Sequence, residues 1–153
     1  MKLSALTALA LTLIASVSLA ADAPPRYIVG PGSPDRASLP FSDAVLVGDT
    51  LYVAGHLGID PKTGKAATDP TVEATLVMDA VRNTVTSAGM TMDDLVSVTV
   101  YATDLALYDT FNSVYKHYFH GRYPARAFIG ASSLLRGSHF EVQGIAVRTR
   151  SGH

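Results

Sequence analysis

Residues 95–103 alternate without interruption, with Val96, Val98, Val100 and Ala102 in one set of positions and Ser97, Thr99, Tyr101 and Thr103 in the other. A period of two belongs to a β-strand, whose successive side chains point to opposite faces of a sheet. One face must therefore be apolar and covered, and the other polar. Immediately upstream the period is that of a helix. Val77, Val81, Val85 and Ala88 recur at helical spacing, with Val72 and Leu76 extending the stripe. Asp69-Pro70 marks the start, because Asp accepts a hydrogen bond from a free amide and Pro loses nothing at the first helical position. Gly89 is placed to close the helix in the left-handed region.

The remaining elements follow from the same rules. Ala44-Val45-Leu46-Val47 and Thr50-Leu51-Tyr52-Val53-Ala54, separated by Gly48-Asp49, have the form of a hairpin. Asp60-Pro61-Lys62-Thr63-Gly64 is a loop. A second helix is expected over 105–120, where Phe111, Val114, Tyr115, Tyr118 and Phe119 form an aromatic stripe that Pro124 terminates. Residues 125–131 and 139–148 read as two further strands. The order β-β-α-β-α-β-β describes an α+β domain, one sheet covered by two helices. Residues 21–40, rich in Pro and Gly, read as an irregular arm with a short extended piece at 27–29, and the folded domain as 41–150.

Residues 1–20 read as a signal peptide. Lys2 provides the positive end, an apolar run follows, and Ser18-Leu19-Ala20 offers the small residues that a signal peptidase requires, with cleavage after Ala20. The Ser and Thr within that run, and Asp22 in place of a basic cluster after it, argue against a retained membrane anchor. The expected product is exported, periplasmic in a bacterium, and free of the membrane after cleavage.

Composition narrows the chemistry. Twelve Lys and Arg against thirteen Asp and Glu give a net charge of −1, without the basic excess that holds a nucleic-acid backbone. There is no cysteine, so disulfides, thiolate metal sites and cysteine nucleophiles are excluded. The signatures G-x-S-x-G, G-x-G-x-x-G, G-x-x-x-x-G-K and H-E-x-x-H do not occur. His117 and His120 are spaced to share a metal on a helix but lack a third ligand nearby, and solvated or capping roles suit them better. His56 and His139 stand alone and read as hydrogen-bonded structural residues.

Two charged residues interrupt apolar strands: Arg126 in Ala125-Arg126-Ala127-Phe128-Ile129 and Glu141 in Phe140-Glu141-Val142. A guanidinium within such a strand needs an anion or a carboxylate to meet it. If these two strands pair, Arg126 and Glu141 lie near one another. They form either a partly buried ion pair or a site in which Arg126 clamps a substrate carboxylate and Glu141 handles a water or proton.

These residues also carry a resemblance. Pro124-Ala125-Arg126-Ala127-Phe128-Ile129, followed by Ser132, Leu134 and Phe140-Glu141-Val142, resembles the C-terminal signature of the RidA/YjgF family of reactive-intermediate deaminases. Gly55, Gly58 and 60–64 resemble its second recurring segment, and Leu39-Pro40-Phe41-Ser42-Asp43-Ala44-Val45 its first. The resemblance implies a chorismate-mutase-like fold, a homotrimer with sites in the clefts between subunits, and cofactor-free hydrolysis of amino-acid-derived enamines and imines to 2-oxo acids and ammonia. By position it implies that Arg126 holds the substrate carboxylate, Glu141 positions water and Asn112 lines the site. Phe41, Ala54 and Phe128 stand where members carry tyrosine, serine and cysteine, which makes the expected pocket more apolar. A non-catalytic trimer that binds small carboxylates or acts as a holdase is the competing reading. A ribonuclease is a third reading, opposed by the acidic balance and the export signal.

Overall fold

The computed structural model describes residues 23–30 and 39–148. The expected signal peptide, half of the expected arm and the last residues of the expected domain lie outside the described residues. The elements are β1 (Arg26–Ile28), β2 (Ala44–Val47), β3 (Thr50–Leu57), α1 (Pro70–Ser87), β4 (Leu95–Ala102), α2 (Tyr108–Tyr115), β5 (Ala125–Gly130) and β6 (Phe140–Val147). They form one six-stranded sheet in the order β1-β2-β3-β6-β4-β5. Every neighbouring pair is antiparallel except β4 and β5, which are parallel and joined through α2. Both helices cover one face, as the α+β reading requires.

Helix α1 begins where its sequence says. Asp69 Oδ1 accepts from the Thr71 and Val72 amides at 2.7 and 3.4 Å, and Gly89 closes the far end at φ +77°. Val77, Val81, Val85 and Ala88 are buried against the sheet, but Val72 is 50% exposed. The inward stripe starts one residue later, at Glu73, and takes in Ala74 and Met78.

Strand β4 departs from strict alternation at its start. A register shift against β6 between Leu95 and Ser97 turns Leu95 into the core and leaves Val96 47% exposed. One extra residue reverses the facing of everything before it. Val98, Val100 and Ala102 keep the expected inward face.

The second helical segment is shorter and more broken than the single helix expected over 105–120. Asp104 Oδ1 accepts from the Ala106 amide at 2.8 Å and fixes a tight turn at Leu105–Leu107. After α2 comes another tight turn, Lys116–Tyr118, and Phe119 is already extended at φ −128°. Aromatic packing, not Pro124, ends the segment. Phe119 and Tyr123 turn back onto Tyr115, with ring centroids 4.7 and 6.4 Å away.

The two strands carrying Arg126 and Glu141 do not pair. β5 is an edge strand beside β4, and β6 lies between β3 and β4. Pairing between distant strands follows from how the helices cross over the sheet, which no local pattern encodes.

Candidate active site

Arg126 is the second residue of β5 and pairs with Val98, a core residue, so its side chain lies on the helix-covered face. Its guanidinium donates to Asn112 Oδ1 at 2.7 Å. Asn112 and Tyr115 are three residues apart on α2, a spacing that presents both to the same neighbour. The guanidinium carbon is 4.5 Å from the centroid of the Tyr115 ring, 5.6 Å from Tyr108 and 5.9 Å from Phe128. Each such contact with an aromatic face contributes about 0.5–2 kcal/mol. The result is a half-buried cation held by rings and one amide, without a carboxylate partner among the described residues. Most of its five N–H donors remain open to a ligand.

Burial pushes the Tyr115 phenol up to about 12, against the lowering effect of the Arg126 guanidinium. Phe128 does not behave as a simple pocket wall. Its ring is edge-on to Tyr108 at 5.1 Å and to Phe111 at 5.8 Å, so it supports the first turn of α2 and the floor on which Arg126 rests.

Glu141 lies on the other face. It pairs with Tyr101, and its neighbours Phe140 and Val142 are fully buried beneath the helices. In β4, Val98 and Tyr101 stand three apart, an odd separation that puts their partners Arg126 and Glu141 on opposite sides of the sheet. Among the described residues Glu141 forms no ion pair with Arg126, and the expected pairing is replaced by this separation. The Glu141 side chain occupies the space over Gly55 of β3, where a Cβ would overlap Oε1 and come within 3.0 Å of Cδ. Ala54 stands beside Gly55 within the irregular stretch of β3 between Val53 and His56. The Ala54 amide donates to the Asp43 carbonyl at 2.8 Å, drawing in the segment that carries Phe41, which is 57% exposed.

The proposed residues thus fall into two groups on one chain. Arg126 and Phe128 lie beneath α2 with Asn112 on it, and Glu141 lies at the other face over Gly55; Ala54 sits beside Gly55 in the irregular stretch of β3 and Phe41 is exposed before β2.

Sequence reasoning passed over Glu73. Its carboxylate is fully buried on α1; Oε1 accepts from the His139 and Phe140 amides at 2.7 and 2.8 Å, and Oε2 is 2.6 Å from His139 Nδ1. Glu73 therefore pins α1 to the start of the strand that carries Glu141. The signal was present in the helical repeat, because residue 73 is four before Val77 on the inward stripe. His56 Nε2 lies 3.2 Å from Thr84 Oγ1, also within the fold. His120 Nδ1 contacts Asp93 Oδ2 at 2.9 Å at the surface; the amide and ring of His120 hold the Asp93 carboxyl below its usual range. Among the described residues no group of three or more ligating side chains could hold a metal ion, and no helix is long and apolar enough to cross a membrane.

Comparison with known proteins identifies the family. The family model described as Endoribonuclease L-PSP matches residues 33–148. The 2-iminobutanoate/2-iminopropanoate deaminases of Homo sapiens and Bos taurus are 31% and 34% identical over 124 residues, 80% of this chain and 90% of each relative. Among solved structures, the YjgF gene product of E. coli is 29% identical with a TM-score of 0.74, covering 81% of this chain and 99% of its own. The E. coli TdcF protein with bound serine has the same identity and TM-score, over 81% of this chain and 100% of its own. With its mixed sheet under two helices, the chain belongs to the Endoribonuclease L-PSP family, the RidA/YjgF proteins that include these imine deaminases.

Proposed function

We propose that this protein hydrolyses enamine and imine intermediates derived from amino acids to 2-oxo acids and ammonia. The observation that carries the reading is the state of Arg126, a half-buried cation on an aromatic floor with one amide partner and no carboxylate partner among the described residues. A guanidinium so arranged suits a bidentate carboxylate ligand. The imine carbon beside that carboxylate is electrophilic enough for a positioned water to attack.

In this reading Glu141 accepts a proton from the water as its oxygen bonds to the imine carbon. That proton passes to nitrogen to give a carbinolamine; the carbinolamine hydroxyl then yields its own proton to nitrogen as the carbon–nitrogen bond breaks and the carbon–oxygen double bond forms, so that ammonia leaves a 2-oxo acid. An enamine first takes a proton at carbon to become the imine. No cofactor is required by these steps. Asn112 fixes the guanidinium plane, while Phe41 and Ala54 border the Glu141 side with apolar surface.

Because Arg126 and Glu141 occupy opposite faces, the reaction requires Arg126 of one chain and Glu141 of the next. We take the assembly to be a homotrimer with sites in the clefts. The partly exposed Tyr52, Val96 and Ile145 supply apolar surface for such contacts. We also take residues 1–20 to be an export signal, so that the reaction occurs outside the cytoplasm.

The test couples the purified protein to an amino-acid oxidase that generates imines. Faster 2-oxo acid release than in the oxidase-only control supports the reading, and equal rates with several amino acids reject it. The apolar Phe41, Ala54 and Phe128 favour one alternative, a trimer that binds carboxylates without turning them over. That alternative predicts ligand binding indifferent to Glu141→Gln and no acceleration.

A further inference from the structure

The phenol of Tyr115 is the feature of the Arg126 pocket that the proposed reaction does not use. Tyr115 is only 4% exposed, yet its hydroxyl has no hydrogen-bond partner among the described residues. Leaving a buried hydroxyl unpaired costs about 1–3 kcal/mol, and native interiors rarely leave one so. Phenylalanine would fill the same space without that penalty, as Phe111 and Phe119 do on the same aromatic stripe.

The ring is also the closest aromatic neighbour of the guanidinium, at 4.5 Å, and it stands one helical turn from Asn112, the guanidinium's amide partner. We propose that the Tyr115 hydroxyl is a substrate-binding donor. It gives its hydrogen to one carboxylate oxygen of a 2-imino or 2-oxo acid while Arg126 takes the carboxylate from the guanidinium side. The inference rests on the reading of Arg126 as a carboxylate clamp.

The electrostatics agree with that role. With its phenol held up to about 12 by burial, Tyr115 stays protonated at neutral pH and can only strengthen a contact with an anion. A neutral donor beside a fixed cation gives the two oxygens of a carboxylate a charged and an uncharged partner. The same ring keeps the guanidinium from rotating away when the pocket is empty.

Calorimetric titration of the full-length assembly with 2-oxobutanoate, for the wild type, Tyr115→Phe and Arg126→Ala, tests the inference, with melting temperatures recorded for all three. The expected result is about tenfold weaker binding by Tyr115→Phe, a melting temperature equal to or above that of the wild type, and loss of binding in Arg126→Ala. If Tyr115→Phe binds as the wild type does while Arg126→Ala does not, the hydroxyl has no ligand role and the clamp stands. If Arg126→Ala also binds normally, the reading of Arg126 falls with it. A melting temperature lowered in Tyr115→Phe with unchanged affinity assigns the hydroxyl to the fold and overturns the inference. As a second measurement, the Tyr115 ring-carbon resonance bearing the hydroxyl should shift on adding 2-oxobutanoate to wild type, and a resonance unmoved at saturation contradicts the proposed contact.

Discussion

Arg126 and Glu141 stand on opposite faces of one sheet with β4 between their strands, Arg126 pairing with Val98 and Glu141 with Tyr101. Within a single chain, therefore, the two side chains cannot meet on one small ligand. The separation also answers the choice left open by sequence, between an internal ion pair and a reactive pair: an ion pair within one chain is excluded. The expectation follows that neither residue stabilises the isolated fold through the other. Arg126→Ala and Glu141→Gln should each melt close to wild type, whereas partners in a buried ion pair would each lose about 3–5 kcal/mol.

Gly55 should matter for turnover more than for folding. A Cβ there overlaps the end of the Glu141 side chain, which can swing aside because it is flexible. Gly55→Ala should retain its melting temperature within a few degrees while kcat falls by about 10²-fold, the effect of displacing a catalytic group by roughly an ångström. Steady-state kinetics beside a thermal melt separates the two.

Glu73 should behave in the opposite way. Its carboxylate serves two amides and the His139 ring from a fully buried position. Glu73→Ala strands those donors and should destabilise by about 3 kcal/mol or more. Urea denaturation at fixed protein concentration measures it, and a midpoint equal to wild type would show that the contacts contribute nothing net.

Alkaline pH should weaken the fold in a defined window. The Tyr115 phenol is raised from 10.0 to about 12, and Tyr118 is raised as well by burial and its bond to Asp79. Groups with raised folded-state values contribute stability that is intact below the unfolded value near 10 and is lost as pH climbs through the folded value. Stability should thus decline between about pH 10 and 12. Tyr115→Phe should flatten part of that decline, a change read from denaturation midpoints across the range.

The sequence made local structure legible and long-range structure much less so. Asp69 and Gly89 bound α1 because a cap and a left-handed glycine act within one turn of chain. The alternation of β4 named a strand and its inner residues, yet the shift at Leu95 left no local mark, because a bulge is defined by the partner strand. The insertion of β6 between β3 and β4 was equally invisible, and with it the true relation of Arg126 to Glu141. Both residues could be singled out because a charge inside an apolar strand demands a reason. Glu73 was overlooked because helices carry glutamate commonly, and only its place four residues before Val77 marks it as inward-facing.

The central claim is a site completed between chains, and mixing two disabled variants tests it most directly. Arg126→Ala retains Glu141, and Glu141→Gln retains Arg126. Each alone should be inactive in imine hydrolysis. In a head-to-tail ring of three, every trimer that contains both variants has one cleft where an intact Arg126 meets an intact Glu141, so random co-assembly should restore about a quarter of wild-type activity. Co-assembled variants that remain as inactive as either parent, with mixed trimers verified by mass, would contradict the account.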